Sequence, residues 1–75
     1  MIKYLNLSGK SNVDSYEIES TTITVTFSDK AKYLYSYMKP GRAQVEKMKE
    51  LAQKGEGLQT YISSEIKMKY EKKLR

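Results

Sequence analysis

The 75-residue chain has no cysteine, no histidine and no tryptophan, and only one proline, one phenylalanine and four glycines. Without cysteine no disulfide can staple the fold, and thiolate metal sites are excluded. Without histidine the commonest general base and the commonest metal ligand are both missing. The acids do not make up the loss. Asp14, Glu17 and Glu19 are separated by strand alternation and form no paired acid–base site by spacing. The run Ser8-Gly9-Lys10-Ser11 is only a fragment of a phosphate loop, lacking the earlier glycine and a following helix. These absences point to a protein that is not an enzyme and holds no metal or cofactor. Long apolar runs are absent too: no stretch approaches the roughly 18 residues of a membrane span. The segment Met1 to Leu7 is too short and too broken for a secretory signal. The expectation is a soluble, cytoplasmic protein with no membrane partner.

What remains is small and unevenly charged. Seventy-five residues make one domain, 1–75, with a core expected over about 11–70. A domain of this size buries only about 60% of the surface of its unfolded chain, so self-association could assist it. A monomer or a weak homodimer is expected. The net charge is +5, yet residues 1–66 hold nine basic and eight acidic residues. The last nine, Lys67 to Arg75, hold five basic residues and one acid. Such a local excess suits a polyanion or an acidic protein surface, and it also suits a solvated tail.

Strand and helix signals are clear in the middle of the chain. Val13 to Ile18 reads as a strand with Tyr16 and Ile18 on one side. Thr21 to Phe27 has strict period 2, with Ile23, Val25 and Phe27 against Thr22, Thr24 and Thr26. Ser28 to Ala31 turns the chain into Lys32–Met38, where Tyr33, Tyr35 and Tyr37 recur at every second position. Period 2 puts the three rings on one face, shared with Ile23, Val25 and Phe27. Such a stripe serves either as the margin of a core, with hydroxyls at the rim, or as a stacking platform. Pro40-Gly41 ends the strand. Segment 1–10 reads equally as a fourth, short edge strand or as an ordered extension, and Ser8 to Asn12 as a loop.

Arg42 to Lys54 is a helix by period, with Val45, Met48, Leu51 and Ala52 on one face and Leu51 at its centre. Glu46–Lys49 and Glu50–Lys54 are candidate surface pairs, and Gly55 fits a left-handed C-cap. Leu58 to Ile66 reads as a short second helix with Leu58, Tyr61, Ile62 and Ile66 inward. The fold class is α+β: a three-stranded antiparallel meander, four-stranded if the N-terminus joins it, with one main helix and a short second helix on one face.

The ordered series Ser11-Asn12-Val13, Ile23 to Phe27, Tyr33-Leu34-Tyr35, then Tyr61-Ile62, Ile66-Lys67-Met68-Lys69-Tyr70 and Leu74 resembles the KTSC domain. That short module occurs at the C-terminus of some lysyl-tRNA synthetases and as stand-alone bacterial proteins, and centres on a Tyr-x-Tyr motif. The chain departs from the family's pattern at Ser63, where asparagine is common, and at Met68, where a small residue is common. The Ser28-Asp29-Lys30 turn also lacks the frequent glycine. The resemblance implies RNA in preference to DNA as partner.

Composition adds its own reason for a nucleic acid. Amines at Lys67, Lys69, Lys72, Lys73 and Arg75, interleaved with Tyr70, supply phosphate neutralisation beside a stacking ring. Tyr33 and Tyr35 are the further candidate stacking residues. The leading expectation is a nucleic-acid-binding module for RNA or another single strand. Its rival is a protein-interaction or accessory module that meets an acidic surface or pairs through a sheet edge.

Overall fold

The computed structural model describes residues 2–7, 9 and 11–75. The expected Ser8 to Asn12 loop and the phosphate-loop fragment fall partly on Ser8 and Lys10, outside the described residues. The chain is α+β: an antiparallel sheet followed by a main helix and a short second helix. The sheet has five strands in sequence order: β1 Ile2–Lys3, β2 Val13–Ile18, β3 Thr22–Phe27, β4 Lys32–Ser36 and β5 Lys72–Lys73. The N-terminal segment supplies the fourth strand that the sequence left open, and β5 is a further two-residue strand at the opposite edge. Short edges of this kind limit edge-to-edge pairing between copies.

The N-terminal edge brings a residue before position 11 into the core. Tyr4, just after β1, is 2% exposed and belongs to the core cluster. Its N–H donates to the Asp14 carbonyl at 3.0 Å. Its hydroxyl accepts the Leu58 N–H at 3.3 Å, giving an otherwise unpaired helix-start donor a partner.

The β2–β3 register explains a break in the burial pattern. Val13 pairs with Phe27 and Ser15 with Thr26, so Asp14 is an extra residue in a bulge. The bulge flips the parity of β2, and Val13 and Tyr16, three apart, are both buried. Beyond it, Tyr16 faces Val25 and Ile18 faces Ile23. The β3–β4 hairpin turns over Ser28, Asp29 and Lys30. Phe27 accepts from Lys30 and donates to Ala31, and the Asp29 carboxylate accepts the Ala31 N–H. Lys30 takes φ 72°, a conformation that glycine adopts most easily.

The main helix, α1 Arg42–Lys54, keeps its expected bounds and crosses β3 and β4. Gly55 is the left-handed C-cap, its N–H bonded to the Leu51 carbonyl. A Cβ there would meet the Leu5 side chain at 2.7 Å, so both conformation and space favour glycine. Glu46 pairs with Lys49 at 2.9 Å, whereas Glu50 lies 3.8 Å from Lys47. Lys49 also donates to the Ser20 carbonyl at 2.9 Å, tying α1 to the β2–β3 turn.

The second helical segment is α2 Leu58–Tyr61 continuing into a π-helical turn, Ile62–Ile66. Leu58, Ile62 and Ile66 point inward, while Tyr61 is half-buried. Among the described residues no helix is long and apolar enough to cross a membrane.

Leu51 is not the centre of the α1 face. Val45, Met48 and Ala52 are the buried residues, and Leu51 packs at the margin. Met48→Ala is therefore expected to cost about 2–5 kcal/mol, the range for large-to-small core changes, and Leu51→Ala distinctly less. Urea midpoints of the two variants would decide it; equal losses would mean that the helix is rotated from this placement.

A candidate nucleic-acid interface at the aromatic cleft

Strand pairing decides where the tyrosine stripe points. Ile23 faces Tyr35 and Val25 faces Tyr33 across β3–β4. The rings of Tyr33 and Tyr35 therefore lie on the helix-bearing side, as the shared period required. Tyr35 is 2% exposed and sealed into the core. As a stacking residue it has no accessible face, so its expected place in the interface is corrected to that of a floor. Tyr33, one pleat nearer the sheet's end, is half-buried. Tyr37 lies past the end of β4. Its hydroxyl donates to Glu46 at 2.6 Å, and Arg42 and Lys49 stand 5.6 and 5.5 Å from its ring centroid. That ring clamps α1 and takes no part in the site.

The C-terminal segment is not a free tail. The π-helical turn ends with the Lys67 N–H donating to the Ile62 carbonyl at 2.5 Å. Lys67 then takes φ 56°, ψ −122°, and the Lys69 N–H returns to the Ile66 carbonyl at 3.0 Å. This is the conformation of the first central residue of a type II′ turn, a position that glycine usually occupies. The reversal lays Tyr70 on Tyr33, with centroids 4.7 Å apart and planes at 49°. The Glu71 N–H donates to the Leu34 carbonyl at 2.8 Å, and the Glu71 carboxylate accepts the hydroxyl of buried Ser36. Lys72 and Lys73 then pair with Leu34 and Tyr33 as β5.

This register splits the basic segment. Lys73 shares the face of Tyr33, and its ammonium stands 5.8 Å from that ring's centroid. Lys72 shares the opposite face with Leu34 and Thr24. Lys67 borders the aromatic cleft. Lys69 and Arg75 are exposed, and the Arg75 backbone is tied to Lys32 on β4. Lys67, Tyr70, Lys73 and Tyr33 are thus brought together, Lys72 is turned away, and Tyr35 lies beneath.

The cleft itself has a volume of about 420 Å³. Phe27, Tyr33 and Tyr70 wall it, Tyr35 and Ile62 lie deeper, and Asn12, Gln59 and Ser63 bring polar groups. Phe27 meets Tyr33 edge-on, with centroids 5.8 Å apart. Among the described residues no acidic side chain lines the cleft. Phe27, Asn12, Gln59 and Ser63 were not among the residues expected there. Phe27 was accessible to reasoning, because it and Tyr33 flank the hairpin turn with the same parity and so meet diagonally. Gln59 gave no signal: it arrives through a helix whose docking was unknown, where its side-chain oxygen accepts the Asn12 N–H.

Compared with family models, curated proteins and solved structures, the chain matches none.

Burial first, then the neighbouring Tyr33 and Tyr70, pushes the Tyr35 hydroxyl well above the ordinary tyrosine range. The folded state thus resists ionisation that the unfolded chain undergoes near pH 10. Its stabilising share is complete below about pH 10 and is lost as pH rises further. Tyr61, raised chiefly by burial and then by Glu65, adds in the same direction. Tyr35→Phe is expected to lessen the alkaline loss of stability without abolishing it. Denaturant midpoints compared at neutral and strongly alkaline pH test this; equal losses in variant and parent would place the Tyr35 ring in a wetter setting.

Proposed function

We propose that the chain is a non-enzymatic, KTSC-like module that binds single-stranded nucleic acid, RNA in preference to DNA, at the face bearing Tyr33, Tyr70, Lys67 and Lys73. The observation that carries this reading is the docking of the basic C-terminal segment beside half-buried rings, which sets ammonium groups next to a cleft that, among the described residues, no acid lines. Single-strand binders combine the same two elements: a cationic track for the backbone and π-faces for the bases. Preference for RNA rests on the resemblance of the ordered residue series to the KTSC domain.

The second reading, a protein-interaction module, has one observation in its favour. Ile2, Leu5 and Leu7 are all more than half exposed along the N-terminal segment. That apolar segment suits a protein surface and has no use for phosphates.

The opposed placement of Lys72 and Lys73 gives the nucleic-acid reading a directional test. Each phosphate neutralised on a single strand contributes about −0.7 to the slope of log K against log salt. A strand on the Tyr33 face gains from Lys73 and not from Lys72. Lys73→Gln is expected to flatten the slope by about 0.7, with Lys72→Gln close to the parent. Fluorescence anisotropy with homopolymeric RNA and single-stranded DNA at two salt concentrations measures this. No association at low salt would discard the reading and leave the protein-interaction module in front.

A further inference from the structure

The aromatic cleft has more chemistry than a cationic track requires. Its volume of about 420 Å³ falls within the roughly 300–1,000 Å³ of small-molecule sites. Four rings line it, and the neutral polar groups among them are amides and hydroxyls. A cationic ligand would find no counter-charge there. An aliphatic one would make no use of the amide groups. Gln59 is the informative residue. Its side-chain oxygen is taken by the Asn12 N–H, which leaves the amide nitrogen, with two donor hydrogens, as its remaining hydrogen-bonding group. An amide donor beside aromatic faces is what a base edge with ring-nitrogen or carbonyl acceptors needs. Lys67 stands at the border and Lys73 over the Tyr33 ring, while Asp29 lines the adjoining depression with its carboxylate accepting the Ala31 N–H.

Lys67 supplies a second, independent observation. It holds φ 56°, ψ −122°, a backbone conformation that a lysine adopts only under constraint, directly at the mouth of the cleft. Glycine would fold more easily at this position. A lysine there exchanges backbone comfort for an ammonium group beside the rings.

We infer that the cleft bounded by Phe27, Tyr33, Gln59 and Tyr70 is a subsite for one nucleotide, its base against the rings and the Gln59 amide, its phosphate toward Lys67 and Lys73. This deepens the nucleic-acid reading and rests on it. The shared chemistry is a nucleobase carrying a phosphate, whether within a strand or as a free mononucleotide. A smaller depression of about 320 Å³ shares Asn12, Phe27 and Tyr33 and is lined further by Ser28, Asp29 and Ala31, so a neighbouring nucleotide there would have to keep its phosphate clear of the Asp29 carboxylate.

The test is a heteronuclear NMR titration of the full chain with AMP, GMP, CMP and UMP, and separately with a short mixed-sequence RNA. Saturable shifts at Phe27, Tyr33, Gln59, Lys67 and Tyr70 are expected with at least one mononucleotide. Gln59→Glu keeps an oxygen for the Asn12 N–H but replaces the donor with an anion, and about tenfold weaker binding is expected. Lys67→Gly removes the ammonium group and relaxes the backbone. It should melt at a higher temperature than the parent while binding more weakly, an opposition that a purely structural lysine cannot produce. Should Gln59→Glu fail to fold, Lys67→Gly carries the test alone. RNA binding with no mononucleotide shift in the cleft would overturn the subsite and leave the nucleic-acid reading standing. Mononucleotide shifts in the cleft without RNA binding would keep the subsite, assign it to free nucleotides and overturn the strand reading. Shifts confined to Thr24, Leu34 and Lys72 would overturn the subsite outright.

Discussion

The reversal at Lys67 is the constraint on which the candidate site depends. A helix that simply ended after Ile66 would release nine residues as a charged tail. Instead, the Ile62 carbonyl takes the Lys67 N–H and the Ile66 carbonyl takes the Lys69 N–H, so the chain turns back within three residues. A non-glycine residue held at positive φ costs about 1–3 kcal/mol and persists only where its surroundings over-determine it. Here they do. Tyr70 gains the Tyr33 ring, Glu71 gains the Leu34 carbonyl and the Ser36 hydroxyl, and β5 gains a ladder partner. Each contact is modest, with net hydrogen bonds worth about 1 kcal/mol. Their sum fixes a segment whose composition alone describes a tail.

Pairing with β4 has a second consequence, which charge counting does not reveal. Five basic residues in nine look like one patch, but a strand presents alternate residues to opposite faces. Once Lys73 is locked to Tyr33, Lys72 must join Leu34 and Thr24 across the sheet. The effective positive face is therefore smaller than the sequence suggests and lies beside the aromatic residues. A charge cluster becomes a site only when backbone pairing decides which members share a side.

Legibility followed the range of the interactions involved. The α1 bounds, the Gly55 cap, the β3 parity and the common face of Tyr33 and Tyr35 depend on residues close in sequence, and all could be read from period and local propensity. The features that could not be read depend on distant partners. Lys72–Lys73 is too short to carry a strand signal, and only the β4 edge makes it a strand; at the N-terminus, where strand and extension stood open, pairing with β2 decides for a strand. The Asp14 bulge left Val13 and Tyr16 at helix-like spacing inside a strand, and no local rule announces it. Tyr4 was hidden for the same reason, since its burial requires both Asp14 and Leu58. Met48 displaced Leu51 because an apolar helical stripe defines a face, whereas the depth of each residue depends on how the helix crosses the sheet.

The tyrosine stripe shows why the choice between core and platform was too simple. Three rings two residues apart leave the strand in three different surroundings. Tyr35 lies where α1 and the second helical segment close over the sheet, and it is core. Tyr37 has passed the last ladder pair and meets Glu46, Arg42 and Lys49 at the helix start. Tyr33 stands at the other end, where Phe27, Tyr70 and the Lys73 amine approach its ring. One ring is therefore structural, one fastens the helix to the sheet, and one stays half-open. The amphipathic body of tyrosine makes this gradation possible, since the same side chain tolerates full burial, a hydrogen-bonded rim and partial exposure. The open end of the stripe depends on its buried middle, because Tyr33 can present a fixed ring only while Tyr35 anchors the strand beneath it.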